Sequence, residues 1–105
     1  MIITLSPIRS TSRAVLEKQG DVLHINGEAF DFSSLQDGDT LPAEAIISDV
    51  IAGAVRRHGD VLTVPVLLGI GPHAPHASRY PSPLTDVPDG PVVLPPYDAE
   101  VVDDN

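Results

Sequence analysis

Proline and glycine recur so often along this chain, 11 and 8 times in 105 residues, that a long helix has little room. Proline removes a backbone donor and clashes with the preceding turn inside a helix. Glycine there costs about 1 kcal/mol relative to alanine. The runs left between them are short and mostly alternate apolar with polar residues, which is the period of a strand. The expectation is a mostly-β single domain of about 6–8 short antiparallel strands, arranged as a sandwich or a rolled sheet. A chain this long buries roughly 60–70% of its unfolded surface, enough for a modest core without cross-links.

The clearest element runs from Asp21 to Phe32. Asn26-Gly27 at its centre is the strongest short hairpin signal, because a type I′ turn needs positive φ at both central residues. Pairing across that turn sets Ile25 opposite Glu28, Leu23 opposite Phe30 and Asp21 opposite Phe32. One face then carries Leu23, Ile25, Phe30 and Phe32, and the other Val22, His24, Ala29 and Asp31, as a half-buried antiparallel pair requires. Ile2–Ser6 and Ala14–Lys18 read as two further strands, with Gly20-Asp21 turning the second into the hairpin. The economical arrangement of these strands is a meander.

Ser33–Leu41 is polar, holds Asp37-Gly38-Asp39, and reads as a loop. Residues 43–58 allow two readings. Pro42 suits the first position of a helix and Glu44 its N-terminal turn, giving a short helix near 43–50. Gly53, dense β-branched residues and the run Val61–Leu68 favour a hairpin from about Ser48 to Leu68, turned by Gly59-Asp60. In that hairpin Val55 and Arg57 share a face with Leu62 and Val64, and Pro65, which cannot donate, belongs at an edge or bulge. From Gly69 to Ala77 a loop is expected. Residues 1–97 then form one domain whose Pro-rich extended C-terminal arm starts at about residue 70. Within the arm, Pro88-Asp89-Gly90-Pro91 is a turn with Gly90 at positive φ, and residues 98–105 form an acidic tail.

With 15 acidic and 6 basic residues, the net charge of −9 repels nucleic-acid phosphates, whose binding rests on Lys and Arg. The ordinary consequence of such charge is solubility; the sharper one is a nucleic-acid mimic. The absence of cysteine excludes disulfides, thiolate metal sites and a Cys nucleophile, and it is consistent with a reducing cytoplasm. Met1–Pro7 is apolar but short and has no basic leader, so a signal peptide is not expected. No apolar run approaches the ~20 residues that span a bilayer, and the expectation is a soluble protein without membrane contact.

Chemistry-bearing residues are few. His73 and His76, three apart, could share a metal with His24 or Asp86, but a proline between them spoils helical ligand geometry and leaves ordinary loop histidines. His58 beside Arg56-Arg57 reads as a solvated strand end or a small basic spot. Ser10-Thr11-Ser12 and Ser33-Ser34 lack a nucleophile elbow. Gly69-Ile70-Gly71-Pro72 lacks the third glycine of a nucleotide loop. Asp37, Asp39, Asp103 and Asp104 supply too few ligands for a calcium loop. Neither an enzyme nor a bound cofactor, metal or small-molecule substrate is expected. Phe30 and Phe32 read as core, whereas Tyr80, Pro95, Pro96 and Tyr97 stand in extended Pro-rich segments where an aromatic can anchor a partner.

Met1–Pro7, Gly20–Leu23, Ile25–Ser33, Leu41–Ile46, Gly71–Pro75 and Asp89–Tyr97 together resemble a group of small phage and prophage proteins encoded near tail or tail-fibre genes. The resemblance spans nearly the whole chain and brings no catalytic motif. It implies a viral tail protein made in the host cytoplasm, either a virion component carried in the virion tail or a tail-assembly helper. Its partners would be other tail proteins or further copies of itself, bound through an apolar edge or the C-terminal arm. Deleting residues beyond about Tyr80 is then expected to abolish binding yet leave a folded core. The alternative is an acidic host-takeover inhibitor, a nucleic-acid mimic bound to a host enzyme.

Overall fold

The computed structural model describes residues 1–98. Ala99 and the acidic residues Glu100, Asp103 and Asp104, on which the expected tail rests, lie outside the described residues. The fold is mostly strand, in two four-stranded sheets. The first sheet has the order β1-β7-β6-β5 and the second β4-β3-β2-β8. Their strands are β1 (Ile2–Arg9), β2 (Leu16–Gln19), β3 (Val22–Ile25), β4 (Glu28–Asp31), β5 (Thr40–Leu41), β6 (Val55–His58), β7 (Val61–Ile70) and β8 (Gly90–Pro91). One helical turn, α1 (His76–Arg79), and a 3₁₀ turn over Ala43–Ala45 complete the elements. No helix among the described residues is long and apolar enough to cross a membrane.

The second sheet follows the sequence pattern. Ile25 faces Glu28 and Leu23 faces Phe30, while Asn26 (φ 52°) and Gly27 (φ 84°) hold the left-handed conformations of the I′ turn. Leu23, Ile25 and Phe32 are buried and Phe30 is half-buried. The opposite face keeps Val22 and His24 half-covered and Ala29 and Asp31 exposed. Gly20 (φ 59°) turns β2 into β3.

β1 departs from the expected meander. It leaves the β2–β3–β4 unit to its neighbours and pairs parallel with β7 in the other sheet, Ile2 beside Thr63 through Arg9 beside Ile70. Both edges of β2 are taken, by β3 and by β8, whereas β7 offers all eight residues of β1 a partner. In that register Ile3 falls beside Val64 on the buried face. The same pairing extends β7 through Gly69 and Ile70, where a loop was expected. The expected 69–77 loop is thereby reduced to Gly71–Pro75, since α1 begins at His76.

The 48–68 hairpin forms with a break. Arg56 faces Thr63 while Ile51 faces Val66, so one strand takes five steps where the other takes three. The surplus residues are a bulge at Gly53-Ala54. Ala52 N–H donates to Pro65 O (2.9 Å), which places Pro65 beside the bulge. Val55, Leu62 and Val64 are buried together, and Arg57 lies opposite Leu62. Helical structure in the 43–50 segment is limited to the single turn Ala43–Ala45. Thr40 and Leu41, expected in a loop, pair with Arg56 and Val55.

The larger core cluster is fed by both sheets: Ile3, Val55, Leu62, Val64 and Val66 against Leu16, Leu23, Ile25 and Phe32. Leu68 and Ile70 extend past the second sheet and are covered by Ala74 and Leu94. The C-terminal segment therefore lies along the domain. Leu84 exchanges both backbone hydrogen bonds with Ile3 (2.9 and 2.8 Å), Val87 is buried, and Gly90-Pro91 pairs with Glu17-Lys18. Gly90 has the expected positive φ, 112°.

Candidate docking site

Of the residues nominated as partner anchors, three are engaged within the domain. The Tyr97 hydroxyl donates to Ser10 O, and the Arg13 guanidinium carbon stands 5.7 Å from the Tyr97 ring centre. Arg13 donates from Nε to Gly69 O (2.9 Å) and from Nη1 to Pro95 O. Ser78, fully buried, donates its hydroxyl to Pro96 O. Arg13, Tyr97, Pro95 and Pro96 thus form a clasp that ties the C-terminal segment to the end of β7. Burial pushes the Arg13 guanidinium below its ordinary pKa, and Tyr97 acts in the opposite direction. Tyr80 is different: it is 72% exposed, with its ring 4.9 Å from that of His76.

The other nominated side chains are dispersed. Among the described residues no three His, Asp or Glu side chains come close enough together to hold a metal ion, and His73, His76, His24 and Asp86 do not converge. Asp37 and Asp39 cap turns, accepting from Gly59 N–H (2.8 Å) and Gln36 N–H (2.8 Å). Ser33 donates to Asp31 and holds that carboxyl below the usual carboxylate range, mainly through its side chain and then its backbone N–H. His58 precedes the Gly59 turn, and Arg57 turns inward to Asp21 Oδ2 (2.9 Å).

What the fold leaves open is the outer edge of β4. Phe32 N–H donates to Asp21 O (3.0 Å), and antiparallel pairs alternate between bonded and non-bonded. Phe30 and Glu28 therefore spend their backbone groups on β3, while the N–H and C=O of Ala29 and Asp31 point away from the sheet. Among the described residues β4 has β3 as its sole strand neighbour. Residues 46–50 run past this edge from the other sheet. Ser48 Oγ accepts from Val50 N–H (3.1 Å) and Ile51 N–H (3.4 Å), which fixes the bend there.

Two adjoining pockets lie between that bend and the edge. One, of about 320 Å³, is mixed, with Ile25, Phe30, Ile47 and Val50 beside Asn26, Glu28, Ser48 and Asp49. The other, of about 270 Å³, is lined by Phe30, Phe32, Leu41 and Ile46. They share Glu28, Phe30 and Ile47. Ile47 is 90% exposed, the most open large apolar side chain described. Among the described residues the charged groups on the lining are Glu28, Asp31 and Asp49, with no basic side chain in either pocket. Glu44 sits in the neighbouring 3₁₀ turn.

Sequence reasoning placed Phe30 in the core and took Ile47 only as part of the apolar stripe of the alternative helix, not as an exposed side chain. Two signals were available: an Ile-Ile pair whose members cannot both face inward, and a hairpin whose second strand ends in a polar loop, leaving it free to be an edge. Comparison with protein-family models, curated proteins and solved structures finds no match for this chain.

Proposed function

We propose that this protein is an accessory or assembly component of a phage tail that works by docking onto larger tail proteins. The observation that carries the docking part is the β4 edge, unpaired among the described residues, bordered by one mixed and one mainly apolar pocket and by Ile47 standing almost wholly in solvent. An open edge gives a partner backbone hydrogen bonds, and adjoining pockets give it side-chain selectivity; together they make the usual geometry of strand addition. Exposed apolar surface beside such an edge favours association. The tail assignment is supported by the resemblance carried in Met1–Pro7, Ile25–Ser33 and Asp89–Tyr97.

Mass spectrometry of particles and tail-assembly intermediates from a lysogen carrying this gene tests the reading. Peptides of this chain at a fixed copy number in either fraction are expected. Their absence from both, with the chain abundant in the cell, would overturn it.

A further inference from the structure

We propose that the β4 edge accepts, as an added strand, an extended basic segment in which apolar residues alternate with lysine or arginine. This names the partner chemistry of the docking reading and rests on it.

Backbone geometry sets the form of the occupant. Ala29 and Asp31 present two outward N–H and two outward C=O groups, a ladder that only an extended chain can meet in full. Side chains on one face of such a chain recur every second residue, roughly 7 Å apart. The two pockets adjoin along β4 through Glu28, Phe30 and Ile47, so consecutive same-face side chains fill one each. An apolar residue suits the pocket walled by Phe30, Phe32, Leu41 and Ile46. One with an apolar stem suits the other, where Ile25, Phe30 and Val50 are joined by Asn26, Glu28, Ser48 and Asp49.

Charge decides the residues in between. Asp31 lies on the outer face of β4, and Glu28 and Asp49 stand exposed at the pocket rims. Lysine or arginine at the alternate positions of the incoming strand meets Asp31, and flanking ones reach Glu28 and Asp49. A second copy of this chain fits poorly: its own β4 edge, Glu28–Asp31, carries no lysine or arginine, and it brings a net charge of −9 toward Glu28, Asp31 and Asp49. The chain's own C-terminus carries Glu100, Asp103 and Asp104, the same sign again.

The test uses the full chain and a short fluorescent peptide in which valine alternates with lysine or arginine, with a valine–glutamate peptide as control. Expected are binding of the basic peptide alone and amide shifts in NMR spectra centred on Ala29, Asp31 and Ile47. Affinity should fall about tenfold between about 0.1 M and about 1 M salt, as the screening length drops from about 10 Å to about 3 Å. Ala29→Pro removes an outward donor the fold does not use and should weaken binding about fivefold. Glu28→Lys combined with Asp49→Lys alters two exposed side chains and should weaken it about tenfold, so the inference stays testable if the proline variant does not fold. Equal binding of both peptides, shifts mapping away from β4, indifference to the charge reversals, or a dimer filling the edge would each overturn it. If the Glu28→Lys/Asp49→Lys chain still enters particles, the site is wrong and the tail reading stands. If the peptide binds as described but the chain is missing from particles and intermediates, the tail reading fails and the site stands.

Discussion

Replacing Arg57 with alanine should lower the stability of this protein by about 3 kcal/mol, mostly through lost backbone carbonyl contacts rather than through its ion pair. The Arg57 side chain is 11% exposed and reaches from β6 into the corner between the sheets. There it donates to Leu35 O and Phe32 O (3.3 Å), as well as to Asp21 Oδ2 (2.9 Å). Asp21 is 41% exposed, and an ion pair that open contributes only ~0–1 kcal/mol. Hydrogen bonds from a charged donor contribute about 1.5–3 kcal/mol. Leaving a part-buried carbonyl such as Leu35 O without its donor costs about 1–3 kcal/mol, while Phe32 O keeps Leu35 N–H (3.1 Å). For a domain of this size 3 kcal/mol corresponds to a fall in Tm of about 12–24 °C. Thermal and urea unfolding followed by circular dichroism measure it, with Asp21→Asn as the partner variant. Asp21→Asn keeps an acceptor and should cost less than about 1 kcal/mol. A loss below about 1 kcal/mol for Arg57→Ala, or equal losses for the two variants, would refute the assignment of stability to the carbonyls.

Three further outcomes are expected. Gly69→Ala drives a Cβ into Ser12 O, well inside contact distance, and should destabilise by about 1–3 kcal/mol; an unchanged urea midpoint would contradict the close crossing of the 10–14 loop. Asp89 accepts from Lys18 Nζ (2.7 Å) and Gly20 N–H (3.0 Å), which hold its carboxyl below the ordinary range, Lys18 most strongly. The unfolded chain takes up that proton first as the pH falls, so the contribution is present above about pH 4 and is lost on further acidification. Asp89→Asn should make the acid limb of urea midpoint against pH shallower, and an identical limb would refute this. Truncation after Tyr80 removes Leu84, Val87, Val92, Leu94 and β8 from the core. At about 1.5–3 kcal/mol per buried aliphatic side chain the loss rivals the whole stability of a small domain, so the truncated chain should show no cooperative unfolding, contrary to the independent-arm expectation.

Much of the fold was legible wherever the information was local. Asn26-Gly27 dictates its own turn, and the alternation around it dictates which side chains face inward. Gly59-Asp60 and Gly90 likewise carry their backbone conformations in residue type. The parallel partnership of β1 and β7 was not legible, since no local signal in Ile2–Arg9 says which distant strand will lie beside it. The C-terminal segment looked like an arm because proline breaks up periodic patterns; its apolar residues Leu84, Val87 and Leu94 reach the core without forming a regular strand. The docking site was half visible. Phe30 and Ile47 could be read as apolar, but which edge stays open depends on strand order, and strand order is a property of the assembled sheets.

The pairing of β1 with β7 also governs when the domain can close. The two strands lie about 60 residues apart in sequence, and a ribosome adds roughly 5–20 residues per second. β1 therefore leaves the ribosome about 3–12 s before its partner exists, with Ile3 and Leu5 still in water. β2, β3 and β4 are joined by tight turns and can pair among themselves in that interval. Closure of the first sheet is thus a late, long-range event, and any factor that shields β1 during that interval acts on the step most open to aggregation.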